Sequence, residues 1–220
     1  MLIKWFLNLL FPPRCIFCNK ILNFKSEICI CNDCPSKIPF VQDNEIQETK
    51  GYYDELICLC SYRGIIKDAI IRFKFFNKSS YHKVFAILLA ERIQKTKNVK
   101  EIDYIVSVPL HQLKEQARGY NQSYLISSEL SRLTGIKEGS YLLKRIKNTK
   151  SQSLLHKYKR AINVKEAFKV TNQIDVEDKT ILLLDDILTT GNTLNECSRV
   201  LKEAGAKKII VVVLATGRKL

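Results

Sequence analysis

The stretch "ILLLDDILTTGNT", residues 181 to 193, runs from four apolar residues into two adjacent carboxylates, then into two threonines and a glycine. The apolar run has the length of a buried strand, and "NTLNECSRVLKEAGA" after it carries Leu194, Cys197, Val200, Leu201 and Ala204 at helical spacing. The order is therefore strand, loop, helix N-terminus, and ligands of open α/β sheets bind at the carboxyl ends of strands. Burying Asp185 or Asp186 costs several kcal/mol unless something pairs with it. The turn after them brings backbone N–H groups and the hydroxyls of Thr189, Thr190 and Thr193 to the positive end of a helix, a phosphate cradle. Gly191 lets the backbone approach a phosphate closely. Ionised carboxylates accept hydrogen bonds from vicinal hydroxyls, so a ribose carrying a 5-phosphate satisfies both ends of the stretch at once. A Walker loop would need G-x-x-x-x-G-K-[ST], which the chain lacks. A phospho-acceptor acidic pocket uses paired aspartates but gives no reason for T-T-G-x-T. The remaining alternative is an ordinary strand-to-helix turn with capping threonines.

Upstream the same alternation repeats. "ELICLCSYRG" alternates like a strand, and "IIKDAIIRFKFF" turns helical with Ile66, Ile70 and Phe73 on one stripe. "VFAILLAERIQ" is a second helix, and "DYIVSVPL" is a short strand closed by Pro109. "NQSYLISSELSRLTG" is a helix stopped at Gly135. "KKIIVVVLAT" ends the series as a buried strand. Apolar strands alternating with helices predict a mainly parallel sheet covered on both faces.

The first 50 residues read differently. Cys15 and Cys18 form one C-x-x-C, Cys31 and Cys34 another, with twelve residues between the pairs. Two such knuckles complete a tetrahedral zinc site, and a module this short lacks core without a metal. Four unrelated buried thiols, or a redox C-x-x-C, are the alternatives; no strand–helix pattern surrounds either pair. Cys29 is close enough in sequence to compete as a ligand. Cys58, Cys60 and Cys197 sit in apolar patterns and are expected to pack as small hydrophobes. The boundaries predicted are a zinc module over 1–50 and an α/β domain over 51–220.

No apolar stretch approaches the ~20 residues of a membrane span. "MLIKWFLNLLF" carries a lysine and no small-residue cleavage site, which predicts a short amphipathic helix and not a signal peptide. A cytoplasmic protein is expected. The net charge of +14 is uneven: residues 137 to 165 hold 9 basic residues against the single acid Glu138. That segment is either a solvated face or a footprint for polyphosphate or nucleic acid, with Tyr141 and Tyr158 available for stacking.

The opening stretch resembles the phosphoribosyl pyrophosphate (PRPP) motif of type I phosphoribosyltransferases. With "SYRGIIKDAIIRFKF", "SVPLHQLKEQARGYNQ", "LLKR…SQSLL…KRAINVKEAFKV" and the two knuckles, nearly the whole chain resembles the ComF family of bacterial competence proteins. The resemblance implies a type I phosphoribosyltransferase-like sheet behind a zinc-ribbon-like module. It also implies a PRPP or ribose 5-phosphate ligand, Mg²⁺, structural zinc, and a connection to DNA uptake in natural transformation. Asp185 and Asp186 would take the ribose hydroxyls, and Thr189, Thr190, Gly191, Asn192 and Thr193 the 5-phosphate. "SVPLHQ" corresponds to the pyrophosphate loop, and "LKEQARGYNQ" to a mobile, basic catalytic loop in which Arg118, then Lys114, would neutralise pyrophosphate. His111 is expected to hydrogen-bond locally. The implied chemistry is glycosyl transfer by displacement of pyrophosphate at the anomeric carbon. The chain has only "ATGRKL" around and after its last strand, where nucleobase-specific enzymes often carry a hood, so no acceptor base is named. The non-enzymatic readings are a single-stranded DNA or competence-protein binder, or a PRPP sensor, on the same fold.

Overall fold

The computed structural model describes residues 11–23, 26, 28–42, 51–97, 99–147 and 164–218. Residues 1–10 of the amphipathic segment expected over 1–11 lie outside them, as do residues 148–163 of the basic segment.

Among the described residues five strands form one sheet in the order β1–β7–β6–β2–β3, and every neighbouring pair is parallel. They are β1 (Glu55–Ser61), β2 (Tyr104–Ser107), β3 (Lys137–Glu138), β6 (Thr180–Leu188) and β7 (Lys208–Thr216). The helices are α1 (Gly64–Phe75), α2 (Tyr81–Thr96), α3 (Gln112–Arg118), α4 (Gln122–Thr134) and α5 (Asn192–Glu203). A separate antiparallel pair joins β4 (Leu143–Arg145) to β5 (Phe168–Val170). The predicted mainly parallel sheet flanked by helices is therefore present, with β6 in the middle.

Alternate residues of β6 feed two cores. Leu182 and Leu184 pack with α1, α2 and α4, through Ile66, Ile70, Phe73, Phe85, Leu89 and Ile126. Ile181 and Leu183 pack on the other side with Leu194, Cys197 and Leu201 of α5. Both faces of the sheet are covered, which is why residues 181–184 of β6 and 209–215 of β7 form unbroken apolar runs. Gly135 ends α4 with φ 75°, in the left-handed region that suits glycine at a helix terminus.

β1 departs from its expected alternation. Leu56 through Cys60 are all buried, because Cys58 and Cys60 serve as small apolar residues at 0% exposure. Its outer edge is closed by the N-terminal segment: Val41 N–H donates to Leu59 at 3.0 Å, and Ser61 N–H to Pro39 at 2.9 Å. An open edge is thereby covered. The cysteine knuckles join the α1–α2 core, with Ile16 and Phe17 at 1% and 3% exposure.

Candidate functional site

β2 ends at Ser107, opposite Leu184, and Asp185 and Asp186 are the next two residues of β6. Asp185 still pairs with Val213 on the other side. The two aspartates meet different partners, from α4 and α1. Asp185 Oδ1 accepts from Ser123 Oγ of α4 at 3.1 Å and from the Asp186 N–H at 2.9 Å. Asp186 is 8% exposed, and its Oδ1 accepts from Lys74 Nζ of α1 at 2.8 Å. Burial, followed by the Asp186 charge, pushes the Asp185 carboxyl up to about 7, against the opposing pull of Lys74.

That shift has a measurable sign. Folded Asp185 keeps its proton to about pH 7, whereas an unfolded aspartate loses it near ~4. Between those values the native chain binds more protons, so the contribution of Asp185 to stability falls as pH rises and levels off above the folded pKa. The full difference is on the order of 4 kcal/mol. Denaturant unfolding of the parent and Asp185→Asn should show the variant gaining on the parent from pH 5 to pH 8. Parallel curves would mean that Asp185 titrates as an ordinary carboxylate.

After β6 the chain turns at Gly191, whose φ of 77° places it in the left-handed region at the N-cap of α5. A Cβ there would lie 2.6 Å from Arg218 Nη2. Arg218 reaches back from beyond β7: its Nε donates to the Thr189 carbonyl at 2.8 Å and its Nη2 to that of Thr190. With those acceptors engaged, donors are what the loop offers a ligand. Thr190 Oγ1 is buried and has no partner among the described residues, which a phosphate oxygen would correct. Asn192 and Thr193 open α5 beside it.

The segment that the resemblance assigns to a catalytic loop contains the short helix α3. His111 caps it, accepting from the Leu113 N–H at 3.3 Å, and Gly119 ends it with φ 86°. "RGYNQ" is a joint between elements. Asn121 caps α4, accepting from Ser123 and Tyr124 at 3.0 and 3.4 Å, while its Nδ2 donates to Val108 in the loop after β2. The Tyr120 hydroxyl donates to the Phe73 carbonyl of α1 at 2.5 Å. Arg118 donates to Gln122 Oε1 at 2.5 Å and lies 5.5 Å from the centroid of the Phe75 ring. Burial, then Arg145 and Arg118, lowers the Lys114 pKa, so these three cations are clustered. Arg145 in turn lies within the field of Asp185. A cleft bounded by Ile102, Asp103, Gly135 and Lys179 opens at the opposite end of the sheet, away from these groups.

In the N-terminal module the sulfurs of Cys15, Cys18, Cys31 and Cys34 all lie within 4.8 Å of one another. Cys15 to Cys34 is 3.7 Å and Cys18 to Cys31 is 3.6 Å. Tetrahedral zinc with Zn–S of ~2.3 Å requires sulfurs roughly 3.8 Å apart, so the four thiolates fit the metal. Cys29 is outside this cluster; its carbonyl accepts from the Ile16 N–H at 2.9 Å.

Comparison with known proteins agrees with this layout. Residues 118–220 match the phosphoribosyl transferase domain model, and residues 6–45 match the double zinc ribbon domain model. Competence protein F of Haemophilus influenzae is 30% identical, covering 93% of this chain and 97% of that protein. The chain belongs to the ComF family. Two further relatives are the DNA utilization protein YhgH of Escherichia coli K12, 26% identical over 90% of this chain and 87% of that protein, and competence protein ComFC of Streptococcus pneumoniae, 28% identical over 89% and 96%.

The ComF-family site holds residues that pattern reading did not name: Lys74, Ser123, Arg145 and Arg218. Each comes from a separate element, so no spacing rule links it to β6. Asn121 had a signal, since asparagine directly before a helix is a preferred N-cap.

Proposed function

We propose that this ComF-family protein binds a 5-phosphorylated ribose, as PRPP or ribose 5-phosphate, at the carboxyl end of β6, and transfers the phosphoribosyl group with Mg²⁺. The observation that carries the reading is a pair of partnered aspartates leading directly into a glycine turn at a helix N-terminus, on the central strand. In this reading Asp185 and Asp186 accept the ribose hydroxyls, and the N–H groups and hydroxyls from Thr189 to Thr193 take the phosphate. Lys114, Arg118 and Arg145 spread the charge of departing pyrophosphate. Mg²⁺, when bound, supplies Lewis-acid neutralisation of that group, and the aspartates are hard donors of the kind it accepts. No protein nucleophile is needed. Residues 1–50 act as the zinc module and 51–220 as the transferase domain, working in the cytoplasm, where reduced thiols persist. The names of the relatives suggest a role in DNA uptake alongside other competence proteins. Calorimetric titration with PRPP and ribose 5-phosphate, with and without Mg²⁺, tests the site; pyrophosphate release on adding nucleobases tests catalysis. No binding of either sugar phosphate would end the reading.

A second reading, single-stranded DNA binding, is favoured by the +8 excess over residues 137–165. Lys137, Lys144, Arg145, Lys147, Lys165 and the exposed Tyr141 are its described part; Lys150, Lys157, Tyr158, Lys159 and Arg160 lie outside the described residues. Binding should be sequence-tolerant and fall steeply with salt as counterions are released. Reversing Lys157, Lys159 and Arg160 to glutamate should weaken it across all sequences in a fluorescence-anisotropy titration. Unchanged low-salt affinity would mean the segment is a solvated face.

A further inference from the structure

Three consecutive residues in the last turn of α1 hold three different parts of the molecule. Arg72 Nη2 donates to the carbonyls of Ile16 and Phe17, at 2.7 and 2.9 Å. Both carbonyls belong to the first cysteine knuckle, since Ile16 and Phe17 lie between Cys15 and Cys18. Phe73 is fully buried and gives its carbonyl to Tyr120. Lys74 holds Asp186.

At 3.6 residues per turn, Arg72 and Lys74 point to nearly opposite sides of the helix. One side is fastened to the zinc module and the other to the paired aspartates. Between them Phe73 packs against Phe85 and Tyr120, with ring centroids 5.6 and 5.8 Å apart, so the turn has little freedom to rotate. Arg72 Nε is buried without a hydrogen-bond partner. The part-buried guanidinium depends on the knuckle's two carbonyls, and opening the knuckle would take both acceptors from its Nη2. It would then have to leave, taking the turn with it.

We propose that Arg72 is a positioning residue through which the zinc-bound knuckle sets sugar-phosphate affinity, by fixing Lys74 on Asp186. The inference rests on the sugar-phosphate reading above. Lys74 holds the Asp186 carboxylate at 2.8 Å, and without that contact the carboxylate is free to turn away from the ribose hydroxyls. Zinc occupancy and ribose affinity are then coupled, and linkage requires the coupling to run both ways.

The test compares the zinc-loaded parent with Arg72→Ala, Lys74→Met and the double variant, each checked for zinc by elemental analysis and titrated calorimetrically with ribose 5-phosphate. Arg72→Ala should keep its zinc and lose about 5- to 10-fold in affinity, within the usual range of coupling between sites. In the Lys74→Met background the same change should cost nothing further, because the pathway is already cut. Parent-like affinity in Arg72→Ala overturns the proposal. So does an equal loss with and without Lys74, which would make Arg72 a general structural support. If Arg72→Ala does not fold, Arg72→Lys replaces it: the retained charge with fewer donors should give a smaller loss, again abolished by Lys74→Met. A parent that binds no ribose 5-phosphate refutes the sugar-phosphate reading and the affinity claim with it. The mechanical link is then judged separately by amide exchange at residues 73–76, where faster exchange in Arg72→Ala upholds it and unchanged exchange overturns it.

Discussion

Replacing Asp185 and Asp186 together by asparagine should weaken ribose 5-phosphate binding by about a hundred-fold or more. At pH 8, above the Asp185 pKa of about 7, each carboxylate supplies a charge-assisted acceptor worth roughly 1.5–3 kcal/mol, and two together amount to roughly 3–6 kcal/mol. Asparagine keeps the shape, so the loss measures charge and not packing. Calorimetry on both proteins reads it directly, and equal affinity would remove the ribose from these residues. Repulsion alone predicts that the fold gains stability from the change. The ion pair with Lys74 alters that expectation, because Asp186→Asn leaves a half-buried ammonium without its partner. Thermal melts of the single variants should therefore diverge, with Asp185→Asn at or above the parent and Asp186→Asn below it.

Removing zinc should have a still larger effect. Protein purified without chelator should carry about one zinc per chain on Cys15, Cys18, Cys31 and Cys34. Structural zinc contributes on the order of 10–16 kcal/mol of apparent binding free energy, which for a short module is its folding free energy. Chelation, or Cys15→Ser, should unfold the knuckles. The damage should spread, because Ile16 and Phe17 are buried in the same core as α1 and α2, and the segment 39–41 covers the edge of β1. Amide exchange should rise in both helices and in β1 on metal removal, with a lower melting temperature for the whole chain. A metal-free protein with native exchange in the knuckles would show that the four cysteines are structural without an ion.

Much of the fold was legible along the chain because its periodicities are strong. Residues 181–184 of β6 and 209–215 of β7 are unbroken apolar runs, and the stripe of Leu194, Cys197 and Leu201 is buried as its spacing requires. Gly135 ends its helix where a glycine should. In β1 the cysteines Cys58 and Cys60 pack as the small hydrophobes expected, and it is the alternation of the strand that gives way to continuous burial from Leu56 to Cys60. α3 was hidden. Seven residues with no buried side chain show no amphipathic pattern, and only the His111 cap and Gly119 mark the helix.

The sequence by itself determined which chemistry this chain can display. Strand, paired aspartates, T-T-G-x-T loop and helix are contiguous, and each C-x-x-C is local, so both motifs are complete within a few turns of backbone. Only the tertiary structure decided what stands around them. Lys74, Ser123, Arg145 and Arg218 come from four separate places in the chain and meet the motif after the sheet is ordered β1–β7–β6–β2–β3. The zinc knuckle meets α1 in the same way, through Arg72, across more than fifty residues of sequence. Pairing across a sheet and packing across a core do not depend on sequence separation. Local patterns therefore name the groups that act, and the fold determines which groups hold them in place.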